Sequence, residues 1–182
     1  MNDEDTMTFR TWFCDIDLYG HMNNGSYNLY CDYGRYALAV RLFGMKWFNN
    51  AYCVVSTSHI QYIRSLPLFK KFTLRTSVVA VNGKNVWFRQ SFESGGKMYA
   101  VANMKMVFLN KNYRSVSGRD ALSAFCSEMA ANEEWNDDKH SIPECKKLGE
   151  QYLALDNGIL ASSEAIYEKK GLKVRSSHAK SP

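Results

Sequence analysis

Apolar and polar residues alternate along four segments in the middle of the chain, and this period of two predicts β-strands. The alternating segments are Ala51–Leu66, Phe69–Val81, Val86–Glu93 and Met98–Leu109. Two short connections, Asn82-Gly83-Lys84-Asn85 and Ser94-Gly95-Gly96-Lys97, carry the residues that tight hairpin turns require. The pattern therefore predicts a set of strands that are joined by hairpins and run antiparallel.

A different pattern precedes these strands. Residues Met7–Cys14 have the aromatic and β-branched character of a first strand, and Asn24–Gly44 then predicts a long helix. Apolar side chains cover most of the circumference of this helix, which is typical of a buried helix. Asp32 and Arg35 are spaced to pair on its polar face. Gly34 lowers helix stability and therefore indicates the close approach of another backbone.

A polar turn connects the first strand to the helix. Two acids, Asp15 and Asp17, lie within a few residues of Gly20 and His21. The turn lies at a helix N-terminus, where unpaired N–H groups and a partial positive charge accumulate. A carboxylate beside such groups is suited to attack a polarised carbonyl, or to activate a water that does so.

These elements predict an α+β fold in which a curved antiparallel sheet wraps around one long central helix. We expect one domain over residues 1–131, closed by a helix over Ser117–Ala131 with Ser117 as its N-cap. Residues 132–182 are polar and charged, and we expect a partly helical or mobile extension with a short helix over Ile142–Leu155.

Composition narrows the class of protein. Hydrophobic residues make up 46% of the 182 positions, and 23 basic against 18 acidic residues give a modest net charge of +5. We predict no membrane span, because no apolar run reaches about 18 residues. The sequence has neither an apolar signal core nor a peroxisomal C-terminal signal, and its five cysteines are scattered, so we expect an intracellular, cytoplasmic protein. No CxxC pair occurs among the cysteines, so we expect no metal. The basic segment Lys169–Arg175 lacks interleaved aromatic residues, and we expect no nucleic-acid partner.

The turn and the order of elements resemble the hotdog-fold acyl-CoA thioesterases, specifically the 4-hydroxybenzoyl-CoA thioesterase-like group. The motif of that group reads roughly D-x-D-x-x-G-H-[MV]-N-N-x-x-Y, and Asp15 to Tyr27 fill every fixed position. Weaker similarity continues to about Asn110, and the chain is also similar to the thioesterase-superfamily-member-6 branch. Beyond about Asn132 no counterpart can be placed.

The resemblance implies hydrolysis of an acyl-CoA thioester to a free acid and coenzyme A, without a cofactor. It implies that Asp17 is the nucleophile or general base and that the Asn24 backbone N–H polarises the carbonyl. It also implies a homodimer or homotetramer that shares its active sites. His21 is assigned an orienting role, and Tyr27, the last fixed position of the motif, is a candidate for substrate or coenzyme binding. Basic side chains would meet the coenzyme's phosphates, and the candidates by position are Arg64, Lys70, Lys71 and Arg89.

Several alternatives stay open. Asp15 is interpreted as structural, although two neighbouring carboxylates raise the pKa of one of them. The same fold could serve a hydratase or dehydratase of acyl thioesters, or a dimer that binds acyl-CoA without turning it over. The sequence does not specify the acyl group or choose between dimer and tetramer.

Overall fold

The computed structural model describes residues 4–43, 52–125 and 143–169. Five strands and one long helix form its main body. In chain order the elements are β1 (Glu4–Arg10), a 3-10 turn (Phe13–Asp15), α1 (Asn24–Phe43), β2 (Tyr52–Tyr62), β3 (Lys71–Asn82), β4 (Asn85–Ser94), β5 (Lys97–Leu109), α2 (Gly118–Phe125) and α3 (Pro143–Lys169).

The five strands form one antiparallel sheet in the order β1-β3-β4-β5-β2. Two tight hairpins link β3, β4 and β5, as predicted, because Asn82 pairs with Asn85 and Ser94 pairs with Lys97. Gly95 and Gly96 both have positive φ, 55° and 69°, which is the requirement of a two-residue turn that matches the strand twist. Bulges at Ser56 in β2, Val79 in β3 and Tyr99 in β5 interrupt the ladders and bend the sheet.

One face of this sheet packs against α1, which confirms the predicted α+β architecture. Alternate residues of β3 and β5 are buried, and α1 contributes Tyr27, Tyr30, Cys31 and Leu38 to the same core. The buried strand residues include Phe72, Leu74, Thr76, Val78, Ala100, Ala102, Met104, Met106 and Phe108. The inward face is the one that the alternation predicts, because successive side chains of a strand point to opposite faces.

The helix meets the sheet most closely at Gly34. A Cβ atom placed there would lie 2.4 Å from Thr76 Oγ1 and 2.8 Å from both Gln90 Nε2 and Leu74 Cδ2. Gly34 does mark a close approach, but the atoms that crowd it belong to side chains of β3 and β4 and not to another backbone, as was predicted. Beside it, the fully buried Gln90 amide donates to Thr76 Oγ1 (3.0 Å) and to the Cys31 carbonyl (2.9 Å), and it accepts from Arg35 Nη1 (2.9 Å).

Two expectations for α1 need correction. Leu29, Tyr33 and Tyr36 are 47%, 44% and 56% exposed, so the helix is not buried all round. Arg35 pairs with Asp32 as predicted, yet it lies in the core and not on a solvated face. The reason is that Gln90 supplies a buried acceptor, which lets the guanidinium enter the helix–sheet contact with its donors satisfied.

The strand boundaries also differ from the predicted ones. β1 covers Glu4–Arg10 and not Met7–Cys14, because Phe13–Asp15 turns away from the sheet as a 3-10 turn. β2 ends at Tyr62, and Ile63 and Arg64 both donate their N–H groups to the Tyr99 carbonyl (2.8 and 2.9 Å). The chain therefore leaves the ladder before the predicted end at Leu66.

Two further helices follow the sheet. Asp120 N–H donates to Ser117 Oγ (3.4 Å), which confirms Ser117 as the N-cap of α2. Residues 126–131 of the predicted helix lie outside the described residues, as does the predicted domain boundary at 131, which stays a prediction. One compact unit ends at Lys146 and another begins at Lys147. α3 has 27 residues and is longer than the short helix predicted over Ile142–Leu155.

None of the helices within residues 4–43, 52–125 and 143–169 combines the length and hydropathy needed to cross a membrane.

Candidate active site

The polar turn is a small loop that closes on itself. Ile16 and Met22 form an antiparallel bridge, and Asp17 N–H donates to the His21 carbonyl at 2.9 Å. Gly20 N–H donates to the Asp17 carbonyl at 3.1 Å, and Gly20 has φ +78°, in the left-handed region. These contacts fix the backbone on both sides of Asp17, so its side chain projects from a well-defined turn.

The Asp17 carboxylate is oriented by the same turn. Its Oδ1 atom accepts hydrogen bonds from the N–H groups of Tyr19 (2.9 Å) and His21 (3.3 Å). Within the part of the chain that the structure describes, Asp17 Oδ2 has no hydrogen-bond partner. One carboxylate oxygen is therefore anchored by backbone amides, while the other stays available to a substrate or a water.

Helix α1 begins beside this carboxylate. Asn23 is its N-cap, because Asn23 Oδ1 accepts from Gly25 N–H (2.7 Å) and the Asn23 carbonyl accepts from Ser26 N–H (2.9 Å). Among residues 4–43, 52–125 and 143–169 no acceptor meets the Asn24 N–H. An unpaired N–H at a helix N-terminus is a donor suited to a developing oxyanion.

Asp15 has a different environment from Asp17. It is 5% exposed, and its Oδ2 atom accepts from Trp12 N–H (2.8 Å) and from the Tyr30 hydroxyl (2.9 Å). Its carbonyl accepts from Asn23 N–H at 2.7 Å. Burial, and then the hydrogen bond to Asp15, raise the pKa of Tyr30 well above its usual range, so this phenol remains a donor. These contacts support the structural role proposed for Asp15.

We expect Asp15→Asn to lower the free energy of unfolding by about 1–2 kcal/mol, because an amide oxygen accepts these two bonds without the help of a charge. Tyr30→Phe removes the phenol donor and should lower stability by a similar amount. The two changes should be non-additive, since they affect one bond, and urea unfolding of the single and double variants measures this. Strict additivity would show that the Asp15–Tyr30 bond contributes nothing.

A cleft of about 340 Å³ opens beside the turn. Its lining residues are Asp17, Tyr19, His21, Met22, Asn24, Tyr27, Tyr62, Ile63, Arg64 and Ser65. Met22 N–H donates to the Leu66 carbonyl (2.8 Å), and this bond holds the segment after β2 against the turn. The cleft therefore combines an oriented carboxylate, a free helix N–H and an aromatic wall.

Tyr27 forms the inner part of that wall. It is 2% exposed, and its ring packs edge-on against Tyr62 (5.1 Å between centroids) and Phe92 (4.9 Å). Desolvation raises the pKa of Tyr27 to about 12, although a hydrogen bond to the Leu66 backbone partly offsets this effect. Its hydroxyl stays protonated at physiological pH and adds no charge to the cleft.

The structure brings together five of the eight candidate residues. Asp17, His21, Asn24, Tyr27 and Arg64 all line the cleft. His21 contacts Asp17 through its backbone: its N–H donates to Asp17 Oδ1 and its carbonyl accepts from Asp17 N–H. Arg64 Nη1 donates to the Met98 carbonyl at 2.7 Å, which steadies its guanidinium at the cleft.

The other three basic candidates do not line this cleft. Lys70 and Lys71 lie where the segment after β2 enters β3, and Lys70 N–H donates to Thr11 Oγ1 (2.9 Å). Arg89 lies on β4, and its Nε donates to Asn103 Oδ1 at 3.3 Å.

The sequence motif did not point to Tyr62 at the end of β2, or to Ile63 and Ser65 just after it, although all three line the cleft. The break at Ser65-Leu66-Pro67 was a signal that this strand ends, but its contact with the turn arises only in three dimensions. Within the described residues, no group of three or more His, Cys, Asp or Glu side chains is arranged to hold a metal ion.

Two described thiols flank the site. Cys14 is exposed on the 3-10 turn, whereas Cys31 on α1 is fully buried. Burial raises the pKa of the Cys31 thiol to about 12, and the nearby Arg35 opposes this only in part. Cys31 is therefore a core residue with negligible thiolate character.

The curved antiparallel sheet around one long helix is the fold of a known class of proteins, the thioesterases of the hotdog fold. The model of the thioesterase-like superfamily matches residues 11–144, which is more than half of the chain, and the chain belongs to that superfamily. The chain is similar to Protein THEM6 of Danio rerio, with 29% identity over 160 residues, 87% of this chain and 71% of the relative.

Solved structures show the same fold. YbaW, a probable thioesterase from Escherichia coli, has a TM-score of 0.60 at 22% identity and covers 67% of this chain and 98% of its own. SAV2348 from Staphylococcus aureus, solved in complex with CoA, has a TM-score of 0.61 at 18% identity. The match covers 77% of this chain and 89% of SAV2348. BH1999 gentisyl-coenzyme A thioesterase has a TM-score of 0.59 at 17% identity, and the match covers 65% of this chain and 98% of BH1999. Family and fold together support thioester hydrolysis as the general chemistry of this chain.

Proposed function

We propose that this chain hydrolyses an acyl-CoA thioester to a free acid and coenzyme A. The observation that carries the proposal is the pairing of Asp17, whose Oδ2 is free, with the unpaired Asn24 N–H on the same cleft. Membership of the thioesterase-like superfamily supports the reaction type, and the CoA complex of SAV2348 supports the class of ligand.

In the proposed reaction, Asp17 Oδ2 accepts a proton from a water, and the resulting hydroxide attacks the thioester carbonyl carbon. Alternatively, Oδ2 attacks that carbon itself and forms an anhydride that water then opens. In both routes the Asn24 N–H stabilises the oxyanion of the tetrahedral intermediate. The C–S bond then breaks, and the thiolate of coenzyme A leaves and takes up a proton. Hydrolysis in heavy-oxygen water under single-turnover conditions tests the anhydride route. If water opens the anhydride at the Asp17 carboxyl carbon, the acid carries away an unlabelled Asp17 oxygen and Asp17 keeps the label, which direct attack by hydroxide cannot produce.

A panel of acyl-CoA esters with short, long and aromatic acyl groups tests the function. We expect release of free coenzyme A thiol from at least one member. Hydration of an enoyl-CoA without thiol release would assign the chain to the hydratase alternative. Thermal stabilisation by acyl-CoA without any product would indicate a binding protein.

Arg64 is the candidate for a coenzyme phosphate contact that the cleft supports best, because it lies on the cleft and keeps donors beyond its bond to Met98. We expect Arg64→Gln to raise KM about tenfold with a smaller effect on kcat, since phosphate contacts bind ground and transition states alike. Added salt should raise the KM of the unaltered protein and affect the variant less.

Arg114→Gln is the matched control, because Arg114 is exposed near the end of β5, away from the cleft residues. Its KM should not change. Lys70→Gln, Lys71→Gln and Arg89→Gln, assayed alongside, rank the remaining candidates. If KM of the unaltered protein is independent of ionic strength, ionic recognition of the coenzyme is wrong.

We also propose a homodimer or a larger assembly. β2 is an edge strand of the described sheet and exposes Val54 (44%) and Val55 (43%), while α1 exposes Leu29, Tyr33 and Tyr36. An exposed apolar edge strand is a template for pairing with another chain. Light scattering at micromolar concentration should give at least twice the 20.9 kDa chain mass.

Val54→Lys should weaken this assembly, because it places a charge at the edge of β2. Thr6→Lys, on the opposite edge strand β1, is the control and should leave the mass unchanged. A monomeric mass for the unaltered protein would contradict the proposed assembly.

A further inference from the structure

Three large aromatic side chains lie exposed where β1 ends and β3 begins. Trp12, Phe13 and Phe69 are 53%, 72% and 44% exposed, and together they form what we call the aromatic patch. The Phe69 ring contacts Trp12 (5.6 Å between centroids, 81°) and Phe13 (5.2 Å, 86°) edge-on. Exposed apolar residues occur singly on most surfaces, whereas three exposed rings joined through contacts with Phe69 indicate an interaction surface.

The patch is held outward by its backbone. Phe69 has φ +61°, a conformation that disfavours residues with a side chain, and it persists because neighbouring bonds fix it. Arg10 Nη1 donates to the Phe69 carbonyl (2.7 Å), and Phe69 N–H donates to the Thr11 carbonyl (3.1 Å). The fully buried Thr11 hydroxyl also donates to the Pro67 carbonyl (2.6 Å).

Three basic residues adjoin the patch, namely Arg10, Lys70 and Lys71. Within the described ranges no carboxylate lies within 4.0 Å of their charged groups. Two carboxylates on neighbouring segments are engaged elsewhere, because Asp15 is buried against Tyr30 and Glu93 pairs with Arg75. The patch therefore combines apolar rings with uncompensated positive charge.

We propose that the aromatic patch and its three cations dock the protein on an anionic lipid bilayer surface. Aromatic rings with polar margins partition to the region of the lipid headgroups, and basic residues beside them are attracted to acidic headgroups. The contact is peripheral and reversible, because it uses side chains and no membrane-crossing segment.

Two other occupants fit less well. A second copy seated symmetrically on the same patch would bring like charges together, since a two-fold contact uses the same surface twice. A single-stranded nucleic acid would also be attracted by the cations, but the Phe69 ring meets Trp12 and Phe13 edge-on at 81° and 86° and so does not form one continuous stacking platform with them. A bilayer accepts both rings and cations without such geometry.

The aromatic patch lies close in sequence to the cleft, so docking at the patch would help substrate to reach the cleft. This point rests on the proposed function. Residues 66–68 connect the cleft-lining Ser65 to Phe69, and Met22 N–H anchors this segment at Leu66. Long-chain acyl thioesters are amphiphiles that concentrate in bilayers. Docking at Phe69 would bring the cleft near that pool of substrate.

Cosedimentation of the full chain with vesicles tests the docking and needs no turnover, so its result is independent of the proposed activity. We expect binding to phosphatidylcholine vesicles that contain about 30% phosphatidylserine and little binding to phosphatidylcholine alone. Trp12→Ala/Phe13→Ala and Lys70→Gln/Lys71→Gln should each weaken binding at least tenfold. Added salt should weaken it as well.

Matched controls lie at the other end of the strands. Tyr52→Ala/Tyr113→Ala removes two exposed rings, and Lys84→Gln/Lys111→Gln removes two exposed charges. Both should bind the vesicles like the unaltered protein, and circular dichroism melts verify that all variants fold. Three results would overturn the proposal: no binding to anionic vesicles, equal loss in the controls, or patch variants that change only the solution mass or only the affinity for free coenzyme A.

Discussion

Asp17→Asn should lose turnover by roughly 10²–10⁴ while the protein stays folded, since this is the range that general-base catalysis contributes. The amide of asparagine keeps an oxygen that can accept from the Tyr19 and His21 N–H groups, so the turn retains its geometry. In asparagine an NH₂ group replaces one carboxylate oxygen, so the side chain has no negatively charged oxygen left to act as base or nucleophile. Steady-state hydrolysis of the best acyl-CoA substrate and a thermal melt measure the two properties.

Asp15→Asn is the matched control for this variant, because the same chemical change occurs two residues away at a buried carboxylate. It should lower the melting temperature while keeping most of the turnover of the protein that remains folded. The opposite pattern, a dead Asp15→Asn beside a nearly normal Asp17→Asn, would mean that the two acids are assigned the wrong way round. Unchanged turnover in both variants would refute the carboxylate mechanism.

Gly34→Ala should destabilise the protein by about 2–3 kcal/mol, even though alanine is the better helix former. The new methyl group would lie 2.4 Å from Thr76 Oγ1 and 2.8 Å from Gln90 Nε2. Both neighbours are buried and bonded to each other, so neither can withdraw without breaking the core network. A loss of roughly 4–12 °C in melting temperature is the expected measure.

Gly158→Ala tests the opposite case, because no atom lies within 4 Å of a Cβ placed at Gly158 in α3. The same substitution there should keep or raise helix stability by about 0.5–1 kcal/mol. If both variants melt like the unaltered protein, the close helix–sheet approach at Gly34 is not a constraint on the fold.

The elements were predictable where one local rule governed them. The hairpins at Gly83 and Gly95 needed only turn chemistry, and α1 begins at Asn24 as its capping residues indicate. Boundaries failed where a contact distant in sequence decided them. β1 stops at Arg10 because Thr11 forms hydrogen bonds with the segment around Pro67. The hydrophobic periodicity of the sequence does not predict such a contact.

The candidate site also contains residues that a local motif places and residues that contacts distant in sequence place. Asp17, His21 and Asn24 lie within one motif, so local spacing alone placed them on one turn. Tyr62 and Ser65 reach the cleft only because the segment after β2 folds against that turn. The burial of Arg35 was equally hidden, since it depends on Gln90, which lies 55 residues further along the chain.

The contrast between Cys14 and Cys31 has a practical consequence for measuring this enzyme. Disulfide reagents that detect released coenzyme A react with thiolates, and at pH 8 a thiol of pKa about 12 is ionised only to about 1 part in 10⁴. Cys31 is silent to such reagents, whereas the exposed Cys14 is open to them and lies three residues before Asp17. Modification of Cys14 during the assay would add a stoichiometric signal and a bulky group beside the reacting turn. A Cys14→Ser variant removes the contribution of Cys14 to this background, and comparison with the unaltered chain shows how much of the signal comes from the turn.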